Sequence, residues 1–164
     1  MLFRSADAVR RFKAVEHRLE PVGTFNGARW YNDSKATNPD STYKALAAFR
    51  EPIILIAGGR NKGIDLEPLA QAIARRVTGL VTMGETGDEL ARRVRDAGLD
   101  RVERAADLSD AVRKAAALAR FWRPAVRQIR QTSAGASNRP SLRFAPSCAR
   151  RLGPLKSIAG PAPR

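Results

Sequence analysis

Between Leu19 and Ala119 the apolar residues recur with two alternating periods, one suited to strands and one to helices. Leu19–Phe25 and Ala28–Tyr31 are apolar stretches split by Asn26-Gly27. That dipeptide suits the two left-handed positions of a type I′ turn, which predicts a hairpin. Asn38-Pro39 supplies a cap and a first-turn proline, and Tyr43, Leu46, Ala47 and Phe49 continue as a helix. Pro52-Ile53-Ile54-Leu55-Ile56-Ala57 is a continuous apolar run closed by Gly58-Gly59, as in a central parallel strand covered on both faces. Leu66, Leu69, Ile73 and Val77 mark a helix, Leu80–Gly84 a second buried strand, and Thr86–Ala97 another helix. Arg101–Arg104 reads as a short strand, and Leu108–Ala119 as a helix whose inner face carries Ala111, Val112, Ala115 and Leu118. Ahead of all these, Ser5–Val15 predicts a short helix capped by Ser5, with Ala8, Val9, Phe12 and Val15 on one stripe.

The order β-α-β-α-β-α after a hairpin defines the fold class: α/β, a Rossmann-like, mostly parallel sheet with helices on both faces. Right-handed crossovers then place ligand-binding loops at the carboxyl ends of the strands. The 164 residues allow one domain with an ordinary core. No apolar run approaches the roughly 20 residues that cross a bilayer, so no membrane partner is expected. Met1–Lys13 lacks an uninterrupted apolar core with a cleavage site, and a cytoplasmic location is the expectation. A single cysteine, Cys148, and a single histidine, His17, leave no means for an internal disulfide or a Cys/His zinc site.

Charge changes the picture only when divided by position. Of the net +14, residues 121–164 supply nine basic residues and no acid, together with six of the ten prolines. Ala, Arg, Pro, Ser and Gly make up 29 of those 44 residues. So few large apolar groups do not offset the entropy of ordering the chain. The expected organisation is therefore a linker helix over 1–15, a folded domain over 16–120 and a disordered basic Pro/Arg/Ala-rich tail over 121–164. A small basic module that neutralises nucleic-acid phosphates is an alternative reading. The tail offers no basic helical stripe or interleaved aromatics for one.

Two loops carry candidate chemistry. Asn32-Asp33-Ser34-Lys35-Ala36-Thr37-Asn38 leaves a strand and opens a helix, offering a cation, hydroxyls, a carboxylate and backbone N–H groups. Gly58-Gly59-Arg60-Asn61-Lys62-Gly63 leaves the central strand with glycines that permit close backbone approach and with two bases beside them. Both suit an anion, and neither is a Walker loop or a Gly-x-Gly-x-x-Gly turn. On chemistry alone they read equally as solvated turns with incidental bases. Trp30 and Tyr31 read as packing residues, Asp88 and Glu89 as a solvated first helical turn, and His17 as structural.

The strings Tyr31-Asn32-Asp33-Ser34-Lys35-Ala36-Thr37-Asn38-Pro39 and Ile54-Leu55-Ile56-Ala57-Gly58-Gly59-Arg60-Asn61-Lys62-Gly63, preceded by His17-Arg18-Leu19-Glu20, closely resemble the C-terminal domain of Mur ligases. The Asn-Asp-Ser-Lys-Ala-Thr string points within that family to the members that add D-glutamate. The resemblance runs from about Phe12 to Arg120. It implies an ATP- and Mg2+-dependent amide ligase of peptidoglycan synthesis. Its substrates are UDP-N-acetylmuramoyl-L-alanine and D-glutamate, and the nucleotide-bound carboxylate is activated by phosphorylation. By correspondence Lys35, Thr37 and Lys62 bind D-glutamate, while Arg18 and Asp33 face ATP. Another Mur-type amide ligase is the alternative within the superfamily.

The resemblance also implies partners this chain lacks: the N-terminal and central ligase domains, which carry the phosphate loop and the metal ligands. A chain without them is expected not to catalyse alone. After Leu118 the family continues with a strand and a Ser-Pro-Ala-Cys-Ala-Ser-like loop, whereas here the composition is that of GC-rich coding sequence read out of frame. The expectation is a domain missing its last strand, with an exposed sheet edge.

Overall fold

In the computed structural model, residues 15–25, 27–60 and 63–120 are described with their side chains and 127–134 by backbone alone. Strands β1 (Glu20–Phe25) and β2 (Ala28–Asp33) form the antiparallel hairpin, with Phe25 opposite Ala28 and Gly27 at φ 74° in the turn. Helix α1 (Pro39–Ala47) starts where Asn38 Oδ1 accepts the Ser41 N–H at 2.8 Å, with Pro39 in the first turn. Then follow β3 (Ile53–Gly59), α2 (Glu67–Arg76), β4 (Gly79–Met83), α3 (Gly87–Asp96), β5 (Val102–Arg104), α4 (Leu108–Arg120) and β6 (Arg127–Ala134).

The six strands order as β1-β2-β6-β3-β4-β5, and every pairing except β1 with β2 is parallel. Alternation along the strands splits the core in two, as the pleat requires. Ile53, Leu55, Ala57 and Leu80 pack against Leu46, Leu69, Ile73, Leu90 and Val94 from α1, α2 and α3. Ile54, Ile56, Val81 and Trp30 pack on the other face against Ala111, Val112 and Ala115 of α4. Trp30 is thus core, and Tyr31 lies with its ring centroid 4.9 Å from that of Phe49. Within the described residues, the pattern-derived elements are reproduced to within a residue or two at their ends.

One expectation is corrected. Residues 127–134 of the tail form β6 and fill the middle of the sheet, so the domain does not end at an open slot. The cause is the backbone: β2 and β3 each present a row of N–H and C=O groups, and one extended segment between them satisfies both. The register places Ile129 opposite Trp30 on one side and Ile54 on the other. β6 also separates β2 and β3, which carry the two candidate loops. The predicted helix over Ser5–Val15 falls almost wholly outside the described residues, as do Asn26, residues 61–62 and the rest of 121–164.

Candidate functional site

The loops after β2 and β3 leave the same edge of the sheet, because both strands run parallel to β6. Asp33, Thr132 and Ala57 stand in one register row across the three strands. Two inter-strand spacings therefore separate the exits, roughly 10 Å. Gly58 and Gly59 carry β3 beyond that row, and Gly58 lies opposite Met83 of β4. This common carboxyl edge is where parallel sheets place their ligands.

On it, Asp33 is the last residue of β2 and is buried, its Oδ1 accepting the Leu19 N–H at 2.9 Å. Lys35 is exposed in the following turn, and its backbone N–H donates to the His17 carbonyl at 3.1 Å. Ala36 N–H closes the turn on the Asp33 carbonyl at 2.9 Å, and the half-buried Thr37 directs its N–H to the Lys35 carbonyl at 2.9 Å. Arg18 is exposed on the turn ahead of β1, which those bonds attach to the end of β2. The structure thus brings Arg18, Asp33, Lys35 and Thr37 to one corner. Lys62 lies outside the described residues, between Arg60 and Gly63.

Residues to which the sequence assigned no binding role support this corner. Asn32 Oδ1 accepts the Ser34 N–H at 3.1 Å, its Nδ2 lies 2.8 Å from His17 Nδ1, and Glu20 Oε2 accepts the His17 N–H at 2.9 Å. Across the edge, the buried Thr86 donates both its N–H (2.9 Å) and its Oγ1 hydroxyl (3.1 Å) to the Gly59 carbonyl, fixing where the β3 loop begins. Only the turn-forming character of Asn and Thr hints at these roles, since their partners lie up to 27 positions away.

The donor set is one for anions: an exposed guanidinium, an exposed ammonium and a hydroxyl. Among the described residues no three His, Cys, Asp or Glu side chains gather to hold a metal ion. Groups with shifted acidity stand apart from this corner. The Lys114 ammonium, with the Ala106 N–H, holds Asp110 below the usual carboxylate value, and the Glu89 and Glu67 carboxylates raise Arg93.

Comparison with known proteins agrees with this geometry. Residues 17–121 match the family model for the glutamate ligase domain of Mur ligases. The chain is 46% identical over 112 residues to a UDP-N-acetylmuramoylalanine--D-glutamate ligase of Desulfitobacterium hafniense, covering 68% of this chain and 25% of that protein. It is 45% identical over 107 residues to the ligase of the same name from Symbiobacterium thermophilum, covering 65% and 24%. The chain therefore spans about a quarter of the length of these relatives. Among solved structures, folylpolyglutamate synthase of Mycobacterium tuberculosis, complexed with ADP and AMPPCP, superposes with a TM-score of 0.60 at 21% identity, over 77% of this chain and 32% of that one. The bifunctional folylpolyglutamate/dihydrofolate synthase of Yersinia pestis gives 0.56 at 14% identity, over 76% and 29%. These two likenesses concern the fold. With residues 17–121 matching the family model and about two thirds of the chain aligning with these ligases at 45–46% identity, the chain belongs to the Mur ligase family, as a glutamate ligase domain.

Proposed function

We propose that this domain is the D-glutamate-binding portion of an ATP-dependent ligase that joins D-glutamate to UDP-N-acetylmuramoyl-L-alanine. Lys35, Thr37 and Lys62 hold the carboxylates of D-glutamate, and Arg18 and Asp33 meet the nucleotide. The observation that carries this reading is the shared exit edge of β2 and β3, aligned through the row Asp33–Thr132–Ala57. A dianionic amino acid must sit beside phosphate charge, which preorganised cations and backbone donors make tolerable. Two strand ends about 10 Å apart suit a ligand whose two carboxylates are gripped from both sides.

ATP with Mg2+ supplies the phosphoryl group that activates the acceptor carboxylate. The exposed Arg18 guanidinium fits a polyphosphate, and the Asp33 carboxylate, at the strand end, orders the turn that carries Arg18. Metal ligands are assigned to domains outside this chain. The reaction is placed in the cytoplasm, where the nucleotide substrates are found.

Reconstitution tests the reading. The first two domains of the Desulfitobacterium relative, mixed with this chain, form ADP only when both substrates are present. Lys35→Ala in this chain removes that turnover. Turnover by this chain alone, or turnover indifferent to Lys35, contradicts the proposal.

A further inference from the structure

Arg18 sits between two residues in an unfavourable backbone conformation, His17 at φ 63° and Leu19 at φ 49°. Left-handed geometry is disfavoured for residues with a Cβ and persists only where surroundings enforce it. Here four hydrogen bonds do so. Lys35 N–H donates to His17 O at 3.1 Å, Leu19 N–H to Asp33 Oδ1 at 2.9 Å, His17 N–H to Glu20 Oε2 at 2.9 Å, and Asn32 Nδ2 meets His17 Nδ1 at 2.8 Å.

The last of these settles a proton position. Asn32 Oδ1 is taken by the Ser34 N–H, so Nδ2, a donor, faces the imidazole. Nδ1 must then be the acceptor and the ring proton must lie on Nε2. Glu20 Oε2 stands 3.2 Å from the same Nδ1 and would bond it only if that nitrogen carried a proton. The asparagine thus selects one tautomer against a neighbouring carboxylate.

We propose that Asn32 and His17 are positioning residues, a clamp in which the Nε2–H tautomer of His17 is tied to β2 and holds the Arg18 turn against the Lys35 turn. Because Lys35 donates to His17, the two cations that the proposed function assigns to nucleotide and to D-glutamate are carried by one hydrogen-bonded unit. The inference rests on that functional reading only for what Arg18 binds, not for the clamp itself.

The full chain serves for the test, and its single histidine makes the imidazole signals unambiguous. Long-range 15N–1H spectra at pH 8 are expected to show Nε2–H in the wild type. Asn32→Asp, which keeps an acceptor for Ser34 and reverses the polarity facing the ring, moves the proton to Nδ1. Asn32→Leu speeds amide exchange at Leu19 and Lys35 about tenfold, the loss of one ordinary hydrogen bond. It also weakens MgATP binding by about threefold to tenfold, and adds nothing further in an Arg18→Ala background. Wild-type Nδ1–H, unchanged exchange in Asn32→Leu with an unaltered unfolding midpoint, or an ATP loss as large without Arg18 as with it overturns the proposal. Should the wild type bind no ATP while the tautomer and exchange signatures hold, the nucleotide reading falls and the clamp stands.

Discussion

Replacing Gly58 by Ala probes the edge on which the β3 loop depends. Gly58 has φ 140°, and a Cβ built there stands 1.8 Å from the Met83 carbonyl oxygen of β4. Ordinary van der Waals separation is about 3.5 Å, so the strands must part by more than about 1 Å, against a ladder that holds β3 to β4 from Ile54 to Gly58. The left-handed backbone costs roughly 1–2 kcal/mol and the overpacking roughly 1–3 kcal/mol. The sum is about 2–5 kcal/mol, a large share of a small domain's stability. Gly27→Ala is the control, because its φ of 74° carries the backbone cost while no atom of the described residues lies within 4 Å of the new Cβ. Chemical unfolding of both variants separates the two contributions: Gly58→Ala should lose about 1–3 kcal/mol more than Gly27→Ala. Equal losses would mean that β3 and β4 do not approach as described, and the placement of the loop after Gly59 would lose its support.

Three further outcomes are expected. Asn38→Ala removes the 2.8 Å cap bond to Ser41 N–H at the start of α1 and should cost about 1 kcal/mol in denaturant unfolding. Asp110 is held below its ordinary value of 3.8 by the Lys114 ammonium first and the Ala106 N–H second. Its charged form is thus favoured on folding, and that contribution is present above about pH 5 and lost as pH falls through and below 3.8. Asp110→Asn should be less stable than wild type at pH 7, and the gap should close by pH 2–3 when unfolding is followed across that range. Ending the chain at Arg120 deletes β6 and leaves β2 and β3 with unpaired rows; the truncated chain should melt lower and associate at concentrations where the full chain does not, as light scattering would show. A truncated chain as stable and monodisperse as the full one would refute the place given to β6.

Most of the sheet was legible because burial on two faces leaves a signature: Ile53–Ala57 and Leu80–Val81 are unbroken apolar runs, and each intervening helix carries an apolar stripe. β6 left no such signature. Arg127-Gln128-Ile129-Arg130-Gln131-Thr132-Ser133-Ala134 has one large apolar residue, and what seats it is the pairing demand of β2 and β3, which no local pattern encodes. The site divided the same way. Its two loops were visible as turn-formers and bases after strands, and Arg18, Asp33, Lys35 and Thr37 do share a corner. The clamp around them was not visible, because φ 63° at His17 and φ 49° at Leu19 are imposed by partners 14 to 18 positions downstream. Nor was Thr86, whose hold on Gly59 depends on the approach of two strand ends.

The most direct test is a backbone-amide NMR titration of the full chain with D-glutamate, with L-glutamate and a short DNA duplex as comparisons. D-Glutamate should shift the amides of Ser34–Thr37 and Gly58–Gly63 together and saturably, with Lys35→Ala and Lys62→Ala each weakening the effect and L-glutamate producing far less. Shifts confined to residues 121–164, produced by DNA and not by D-glutamate, would contradict a D-glutamate site between these two strand ends.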